Sequence, residues 1–188
     1  MSETQTFRDF GLHDTLLRAI AEIGYEKPTP IQIKAIPLVL AGSDVMGAAQ
    51  TGTGKTASFG LPLLARLLSF ANSSASPARH PVRALVLTPT RELADQVHEN
   101  LFAYAKYTGL RTACVFGGVD IRTQEGLLRR GVEVVVATPG RLLDHVEQRN
   151  VTLSQVQIVV LDEADRMLDM GFLPDISRLT LKSLLPIF

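Results

Sequence analysis

Short runs of apolar residues alternate along this chain with stretches in which apolar residues recur every three or four positions. Strands buried on both faces are continuous apolar runs, whereas helices show the longer repeat. The pattern therefore predicts strands and helices in alternation, which is typical of a parallel sheet covered by helices. The predicted strands cover residues 45–48, 82–87, 113–116, 132–137 and 158–161.

The helical repeat begins near the amino terminus, where Leu16, Ile20 and Ile23 fall on one face before Gly24. A second helix starts at Pro30, a residue suited to a first helical turn. Residues 69–81 are rich in serine, alanine and proline, and we expect a mobile surface loop there. The other predicted helices cover residues 57–68, 121–130 and 142–148, together with one that starts after Thr90 and ends near Gly109.

A loop rich in glycine and threonine separates the first predicted strand from the helix at 57–68. Glycine adopts torsions that a side chain forbids and lets the backbone approach an anion closely. The loop N–H groups and the helix N-terminus would face phosphates. Lys55 would supply a positive charge to them, and the Thr56 side chain would offer a hydroxyl to Mg²⁺. The alternative is a plain glycine-rich turn with an exposed lysine. The loop consists of Ala49, Gln50, Thr51, Gly52, Thr53, Gly54, Lys55 and Thr56.

A second chemical signal follows the last predicted strand, where Asp162 and Glu163 emerge from an apolar run. In a nucleoside triphosphatase an acid at this place serves the metal, and we expect Asp162 to contact Mg²⁺ through water. Glu163 would orient or deprotonate the attacking water. The alternative is a solvated acidic turn after a strand.

The unusual loops all follow predicted strands. Right-handed crossovers place the carboxyl ends of parallel strands at one edge of a sheet, and ligands bind at that edge. We therefore expect these loops to form one functional edge. They are the phosphate loop, Pro89-Thr90-Arg91, Gly117-Gly118, Thr138-Pro139-Gly140-Arg141 and the acidic pair.

Composition narrows the remaining function classes. The 188 residues are 46% hydrophobic and 20% charged, which indicates one globular domain. A formal net charge of zero argues against a large basic nucleic-acid footprint.

The single cysteine, Cys114, fits a reducing compartment and indicates a structural thiol. The four histidines lack metal-ligand spacing. No signal peptide or membrane-spanning run is found, so a cytoplasmic location is expected.

Together these motifs resemble the DEAD-box family of ATP-dependent RNA helicases, in the family's order, over residues 7–174. Asp162-Glu163-Ala164-Asp165 is the motif that names the family, and its phosphate loop begins with alanine, as here. Residues 24–32 resemble its Q motif, and Phe7 resembles its isolated upstream aromatic. The sequence as a whole is similar to that of a bacterial RhlE-like member of the family.

The resemblance implies a role for each matching residue. Gln32 and Thr29 would read adenine, with Tyr25 and Phe7 packed about the base, and the phosphate loop would hold ATP with Mg²⁺. Lys55, Asp162 and Glu163 would serve catalysis, and Asp165 would couple the ATP site to later motifs. RNA would be contacted through its backbone, whatever its sequence, by Pro89, Thr90, Arg91, Gly117, Gly118, Thr138, Pro139, Gly140 and Arg141.

Some of these residues have simpler explanations from the sequence alone. Gln32 would be an ordinary helix-surface residue, although a carboxamide can pair with the edge of adenine. Arg91 and Arg141 would each cap a helix start or pair with a local acid such as Glu92 or Asp144.

For the fold, the resemblance implies an α/β, RecA-like P-loop NTPase domain, with a parallel sheet and helices on both faces. We expect an N-terminal helix and Q-motif segment at 1–35 and an ATP-binding domain at 36–188. That domain is expected to be truncated before a strand ending in Ser-Ala-Thr, and a second RecA-like domain is expected to be absent. The missing strand would lie beside the strand at 158–161. Residues 183–188 are poor substitutes because they include Pro186.

Three hypotheses of function follow. The chain is the nucleotide- and RNA-binding part of an ATP-dependent RNA helicase, or it acts alone as a weak binding module without turnover. The third hypothesis is a DNA-directed or other P-loop motor, against which the Q motif and the Asp-Glu-Ala-Asp motif argue. For the isolated chain we expect weak ATP binding and negligible unwinding.

Overall fold

The computed structural model describes residues 5–48 and 52–182. The chain divides into two compact units. The first unit comprises the residues up to Ala71 together with Asn100–Leu110, and the second comprises Asn72–Glu99 and the residues from Arg111 onward. The predicted division after residue 35 stays a prediction.

The first unit is helical. A 3-10 turn at Phe7–Phe10 precedes α1 (Asp14–Glu22), whose apolar face buries Leu16 and Ile20 as the repeat predicts, whereas Ile23 follows the helix and is 42% exposed. Helices α2 (Pro30–Leu40) and α3 (Lys55–Leu67) follow, and they pack against each other. Helix α2 continues through Pro37.

A parallel sheet organises the second unit. Its described strands are β1 (Ala84–Leu87), β2 (Thr112–Val115), β3 (Val134–Ala137) and β4 (Ile158–Leu161), in the order β2-β3-β1-β4. Leu87 pairs with both Ala137 and Leu161, and Val115 pairs with Ala137, so the four strands end level. The predicted parallel α/β architecture is confirmed for these strands.

Helices follow each of these strands. Helix α4 is Arg91–Tyr104, α5 is Ile121–Arg129, and α6 is Pro139–Glu147. Two further helices, α7 (Ala164–Asp169) and α8 (Leu173–Lys182), complete the described chain and were not predicted. Within the second unit α8 packs against α6.

Burial along the strands separates the centre of the sheet from its edges. All four residues of β1 and of β3 are buried, whereas β2 is alternately buried and β4 is only partly buried, with Leu161 41% exposed. Burial therefore decreases from the two central strands to β2 and β4, each of which has one described neighbour.

The predicted strand at residues 45–48 is not formed. Residues 43–48 carry no regular structure, Val45 is 40% exposed and Met46 is fully exposed. A strand is stable only with a neighbour that accepts and donates its backbone hydrogen bonds, and none of the described strands pairs with this segment. An apolar run alone was therefore insufficient to specify a strand here.

The segment predicted as a mobile loop is anchored by a buried side chain. His80 is 1% exposed, and its Nδ1 lies 2.5 Å from Oε1 of Glu133, which is also buried. The other ring nitrogen lies 2.8 Å from the carbonyl oxygen of Ser74, which also accepts from the Arg111 guanidinium at 2.7 Å. Short 3-10 turns at Leu68–Phe70 and Pro77–Arg79 complete the segment. Sequence analysis missed this anchor because the hydrogen-bond partner is 53 residues away.

We expect Gly131→Ala to destabilise the protein more than Gly171→Ala. Both glycines have φ +81°, so both alanines incur a left-handed cost of about 1–2 kcal/mol. A Cβ at Gly131 would also lie 2.8 Å from the Pro77 carbonyl oxygen, whereas no described atom lies within 4 Å at Gly171. The additional loss at Gly131 is roughly 1–3 kcal/mol by overpacking. Urea unfolding of the two variants measures the difference, and equal losses would show that the contact at Gly131 relaxes freely.

Candidate functional site

The described part of the phosphate loop has the backbone that an anion site requires. Gly52 and Gly54 have φ of +84° and +83°, and Lys55 and Thr56 are the first two residues of α3. Helix α3 is 13 residues long, so its first N–H groups and its dipole favour a negative charge at this end. The other predicted loop residues, Ala49, Gln50 and Thr51, lie outside the described residues.

Two side chains at the start of α2, those of Thr29 and Gln32, hold this loop. Oε1 of Gln32 accepts the N–H of Thr29 at 2.9 Å, and Nε2 of Gln32 donates to the carbonyl oxygen of Gly54 at 3.1 Å. The Thr29 hydroxyl donates to the carbonyl oxygen of Thr53 at 2.9 Å. Gln32 and Thr29 also form the capping box of α2, which sets where that helix begins. The same pair thus starts α2 and supports the phosphate loop.

Gln32 is 2% exposed, so its interpretation as a helix-surface residue is wrong. The Thr-x-x-Gln spacing of a capping box was visible in the sequence and predicts the bond to Thr29. The bond to Gly54 was not visible, because it depends on how α2 and α3 pack. An amide has a second N–H and a second acceptor position, and adenine recognition by Gln32 stays a prediction.

Aromatic rings surround Tyr25 in the same unit. The ring of Phe7 stacks on Tyr25 with centroids 6.2 Å apart, and the Tyr25 hydroxyl lies 3.0 Å from the hydroxyl of Tyr104. Burial, which disfavours the phenolate, and the bond to Tyr25 raise the pKa of Tyr104. Tyr104 was missed because nothing local distinguishes an apolar-face tyrosine in a helix. The packing of Phe7 and Tyr25 about a base stays a prediction.

In the second unit the loops after the strands share one edge. The first N–H after each of three strands bonds to the last carbonyl of its neighbour. Thr88 donates to Ala137 at 3.0 Å, Thr138 to Val115 at 3.1 Å, and Asp162 to Leu87 at 2.9 Å. The predicted common edge is thereby confirmed for the loops that follow β1, β2, β3 and β4.

Arg91 and Arg141 differ in how they are held at this edge. Arg91 is exposed, and its guanidinium lies 4.9 Å from the centroid of the Phe116 ring. The Arg141 side chain is only 12% exposed, donates to the carbonyl oxygen of Val119 at 2.9 Å, and lies 3.8 Å from Asp144. The predicted pairing of Arg141 with Asp144 is present, although the bond to Val119 is shorter.

A buried polar network lies behind this edge. Gln124 Oε1 lies 3.2 Å from Nη1 of Arg141 and 3.1 Å from Nε2 of His145, whose Nδ1 lies 3.2 Å from Nδ2 of Asn150. The Asn150 amide is a donor and the Gln124 oxygen an acceptor, so the pattern requires neutral His145 protonated on Nε2. Burial, and secondarily the charge of Arg141, lower the pKa of His145 accordingly.

The acidic turn has a strained backbone. Glu163 has φ +54°, in the left-handed region, and it directly precedes α7. Its carboxylate lies 3.2 Å from the Arg166 guanidinium. Asp165 lies exposed in the first turn of α7. A non-glycine residue in this conformation costs of order 1–3 kcal/mol and is found preferentially at functional sites.

Within residues 5–48 and 52–182, no group of three or more His, Cys, Asp or Glu residues is arranged to hold a metal ion. Cys114 is half-buried, and burial raises the pKa of its thiol to about 12. The thiol is therefore protonated at neutral pH, as expected of a structural cysteine.

A glycine loop at the start of α3 and a parallel sheet with its loops at one edge define a P-loop α/β domain of the RecA-like type. The family model described as "DEAD/DEAH box helicase" matches residues 29–185. The chain belongs to this family.

The relatives carry the same family name. The chain is 45% identical over 174 residues to the DEAD-box ATP-dependent RNA helicase RhpA of Helicobacter pylori, covering 93% of this chain and 34% of the relative. It is 46% identical over 174 residues to CshA of Bacillus cereus, covering 93% and 32%. The match to CshA of Limosilactobacillus reuteri is 47% over 173 residues, covering 92% and 33%. The chain thus spans about a third of the length of these relatives.

Among the described residues, no helix combines the length and apolarity that crossing a bilayer requires.

We expect Gln32→Leu to lower the free energy of unfolding by about 1–3 kcal/mol. The reason is that the Thr29 N–H would lose its acceptor, whereas the Gly54 carbonyl keeps a bond from Ser58 within α3. Gln148→Leu changes an exposed glutamine and serves as the control. Urea unfolding measures both variants. Equal stability of the two would mean that water replaces the buried bond.

We expect the protein to become less stable as the pH falls from 7.5 towards 5.5, partly through His145. The pKa of His145 is lowered in the fold, whereas the unfolded chain titrates near about 6.5. Below that pH the unfolded chain binds more protons, so the free energy of unfolding decreases. His145→Gln should flatten this dependence. His13→Gln, which removes an exposed histidine, is the control, and an unchanged slope in His145→Gln would contradict the prediction.

Proposed function

We propose that the whole protein is an ATP-dependent RNA helicase and that this chain supplies its ATP site and part of its RNA-binding surface. The observation that carries the proposal is the loop at Gly52–Lys55: left-handed glycines open α3, and Gln32 and Thr29 bond to the loop carbonyls. The names of the relatives, each an RNA helicase, support the same reaction.

ATP is bound first through its phosphates. The loop amides and the N-terminus of α3 hold the phosphate oxygens, and Lys55 adds a mobile positive charge. Gln32 and Thr29 recognise adenine, with Tyr25 and Phe7 beside the base. This role uses the remaining donor and acceptor positions of the Gln32 amide.

The chemistry requires positioning and charge stabilisation more than covalent participation. The Thr56 hydroxyl and, through water, the Asp162 carboxylate would hold Mg²⁺. These are the oxygen donors that Mg²⁺ prefers, and the ion would supply neutralisation of the phosphate charge. Glu163 orients the attacking water. Its left-handed backbone sets the direction in which the carboxylate side chain leaves the main chain. Asp165 couples the ATP site to motifs that follow.

RNA is bound at the edge formed by the loops after β1, β2 and β3. Gly117 and Gly118 are exposed, and their backbone N–H groups suit phosphate oxygens, as does the exposed Arg91 guanidinium. Such contacts position a strand without reading its bases and favour RNA through its 2′-hydroxyls and shape. The residues predicted from the sequence for this surface are Pro89, Thr90, Arg91, Gly117, Gly118, Thr138, Pro139, Gly140 and Arg141.

Two finer assignments complete the proposal. The helicase is of the RhlE-like bacterial type, supported by the order and form of its motifs. A cytoplasmic location is supported by the single cysteine, which fits a reducing compartment. For the chain by itself, a binding module without turnover is the second candidate function.

Calorimetric titration with Mg²⁺–ADP and Mg²⁺–GDP tests the nucleotide site. We expect ADP to bind and GDP to be rejected, because a carboxamide at Gln32 matches the adenine edge. Lys55→Met should weaken ADP binding, while Lys34→Met, which removes an exposed lysine from α2, should not. Equal binding of both nucleotides would overturn adenine recognition, and binding of neither would overturn the site.

An ATPase assay with RNA and with DNA separates the candidate functions. RNA-stimulated hydrolysis supports a helicase core, whereas nucleotide and RNA binding without hydrolysis supports the binding module. Equal stimulation by single-stranded DNA would instead indicate a DNA-directed motor.

A further inference from the structure

We propose that Gln124 and Arg141 are positioning residues: they form a buried bridge that holds the loop after β2 against the first turn of α6. In this proposal Arg141 acts through the protein and does not itself bind a phosphate. The inference rests on the proposed RNA-binding function and changes the role of one of its arginines.

Gln124 bonds to both sides of the bridge. It is 5% exposed, and its Nε2 donates to the carbonyl oxygen of Phe116 at 3.0 Å. Its Oε1 accepts from Arg141 at 3.2 Å and from His145 at 3.1 Å. A guanidinium only donates and a carbonyl only accepts, so the orientation of the amide is determined. Neither an acid nor an apolar side chain of the same size can make both bonds.

Arg141 closes the bridge from the other side. Its Nη2 donates to the carbonyl oxygen of Val119 at 2.9 Å, while Nη1 donates to Gln124. The two terminal nitrogens that would form a fork on a phosphate are thus directed at the protein. With the side chain 12% exposed, its charge is largely withdrawn from the surface where a strand would lie.

The bridge also sets the position of the exposed arginine. Phe116 lies beneath the Arg91 guanidinium, at 4.9 Å from its ring centroid. A Cβ on Gly118 would lie 3.9 Å from Nη1 of Arg91. Loop 116–119 therefore touches Arg91 on one side and the Gln124–Arg141 pair on the other. Loss of the bridge would let this loop move and would shift the group that does face the solvent.

Substitutions of Arg141 and of the exposed Arg91 test the proposal. The 188-residue chain would be titrated with a fluorescent single-stranded oligo-uridine at several KCl concentrations. The variants are Gln124→Met, Arg141→Lys, Arg141→Met, Arg91→Lys and Arg91→Met. Mg²⁺–ADP affinity and thermal unfolding are measured on each, so that a general loss of structure is recognised.

We expect Gln124→Met and Arg141→Lys to weaken RNA binding by about two- to tenfold, the effect of one or two hydrogen bonds. Lysine keeps the charge but cannot reach Val119 and Gln124 together, so Arg141→Lys should lose as much as Arg141→Met. The salt dependence should stay unchanged in all three, and the double variant Gln124→Met with Arg141→Lys should lose little more than either single variant. ADP affinity should be unchanged.

Arg91 should behave differently. Arg91→Met should reduce the slope of log K against log salt by about 0.7, the value for one phosphate contact on a single strand. Arg91→Lys should retain that slope.

Two results would overturn the proposal. One is wild-type RNA affinity in Arg141→Lys together with a slope reduced by about 0.7 in Arg141→Met, which would make Arg141 a phosphate contact. The other is unchanged RNA affinity in a folded Gln124→Met. If the wild-type chain binds ADP but no RNA, the proposed RNA-binding function fails, and the bridge loses its role with it.

Discussion

Backbone hydrogen bonds at the carboxyl edge of the sheet are the constraint on which the functional loops of the second unit depend. Three strands are extended by one further ladder bond each, from Thr88, Thr138 and Asp162 to the last carbonyl of a neighbouring strand. Each bond fixes the first residue of a loop that carries a family motif. Since the strands are parallel and end level, loops from distant parts of the sequence begin at the same edge.

In each of the two units, a buried glutamine holds a loop in place through hydrogen bonds. Gln32 accepts from the backbone of Thr29 and donates to Gly54, and Gln124 accepts from Arg141 and donates to Phe116. A carboxamide can satisfy a donor and an acceptor at the same time without carrying charge. Burying an uncharged group with both bonds made avoids the large desolvation cost of a buried ion. Both glutamines therefore support their loops without adding a buried charge.

Left-handed backbone torsions occur at the proposed chemical sites as well as elsewhere, for example at Arg149 with φ +59°. Gly52 and Gly54 take the left-handed backbone at no steric cost, whereas Glu163 takes it with a side chain. A Cβ at Gly54 would lie 2.4 Å from Nε2 of Gln32, so the amide contact itself requires glycine there. The arrangement explains why a glycine loop and a glutamine 22 residues earlier form one structural unit.

The sequence by itself determined the four described strands, most of the helices and the family, because apolar periodicity and motif spacing are local properties. It even contained the Thr29–Gln32 capping box. The tertiary structure alone decided that residues 45–48 form no strand, that Gln32 is buried, that His80 anchors its loop, and that Arg141 faces the protein. Each of these depends on a partner distant along the chain, and a one-dimensional pattern does not specify which residues packing will bring together.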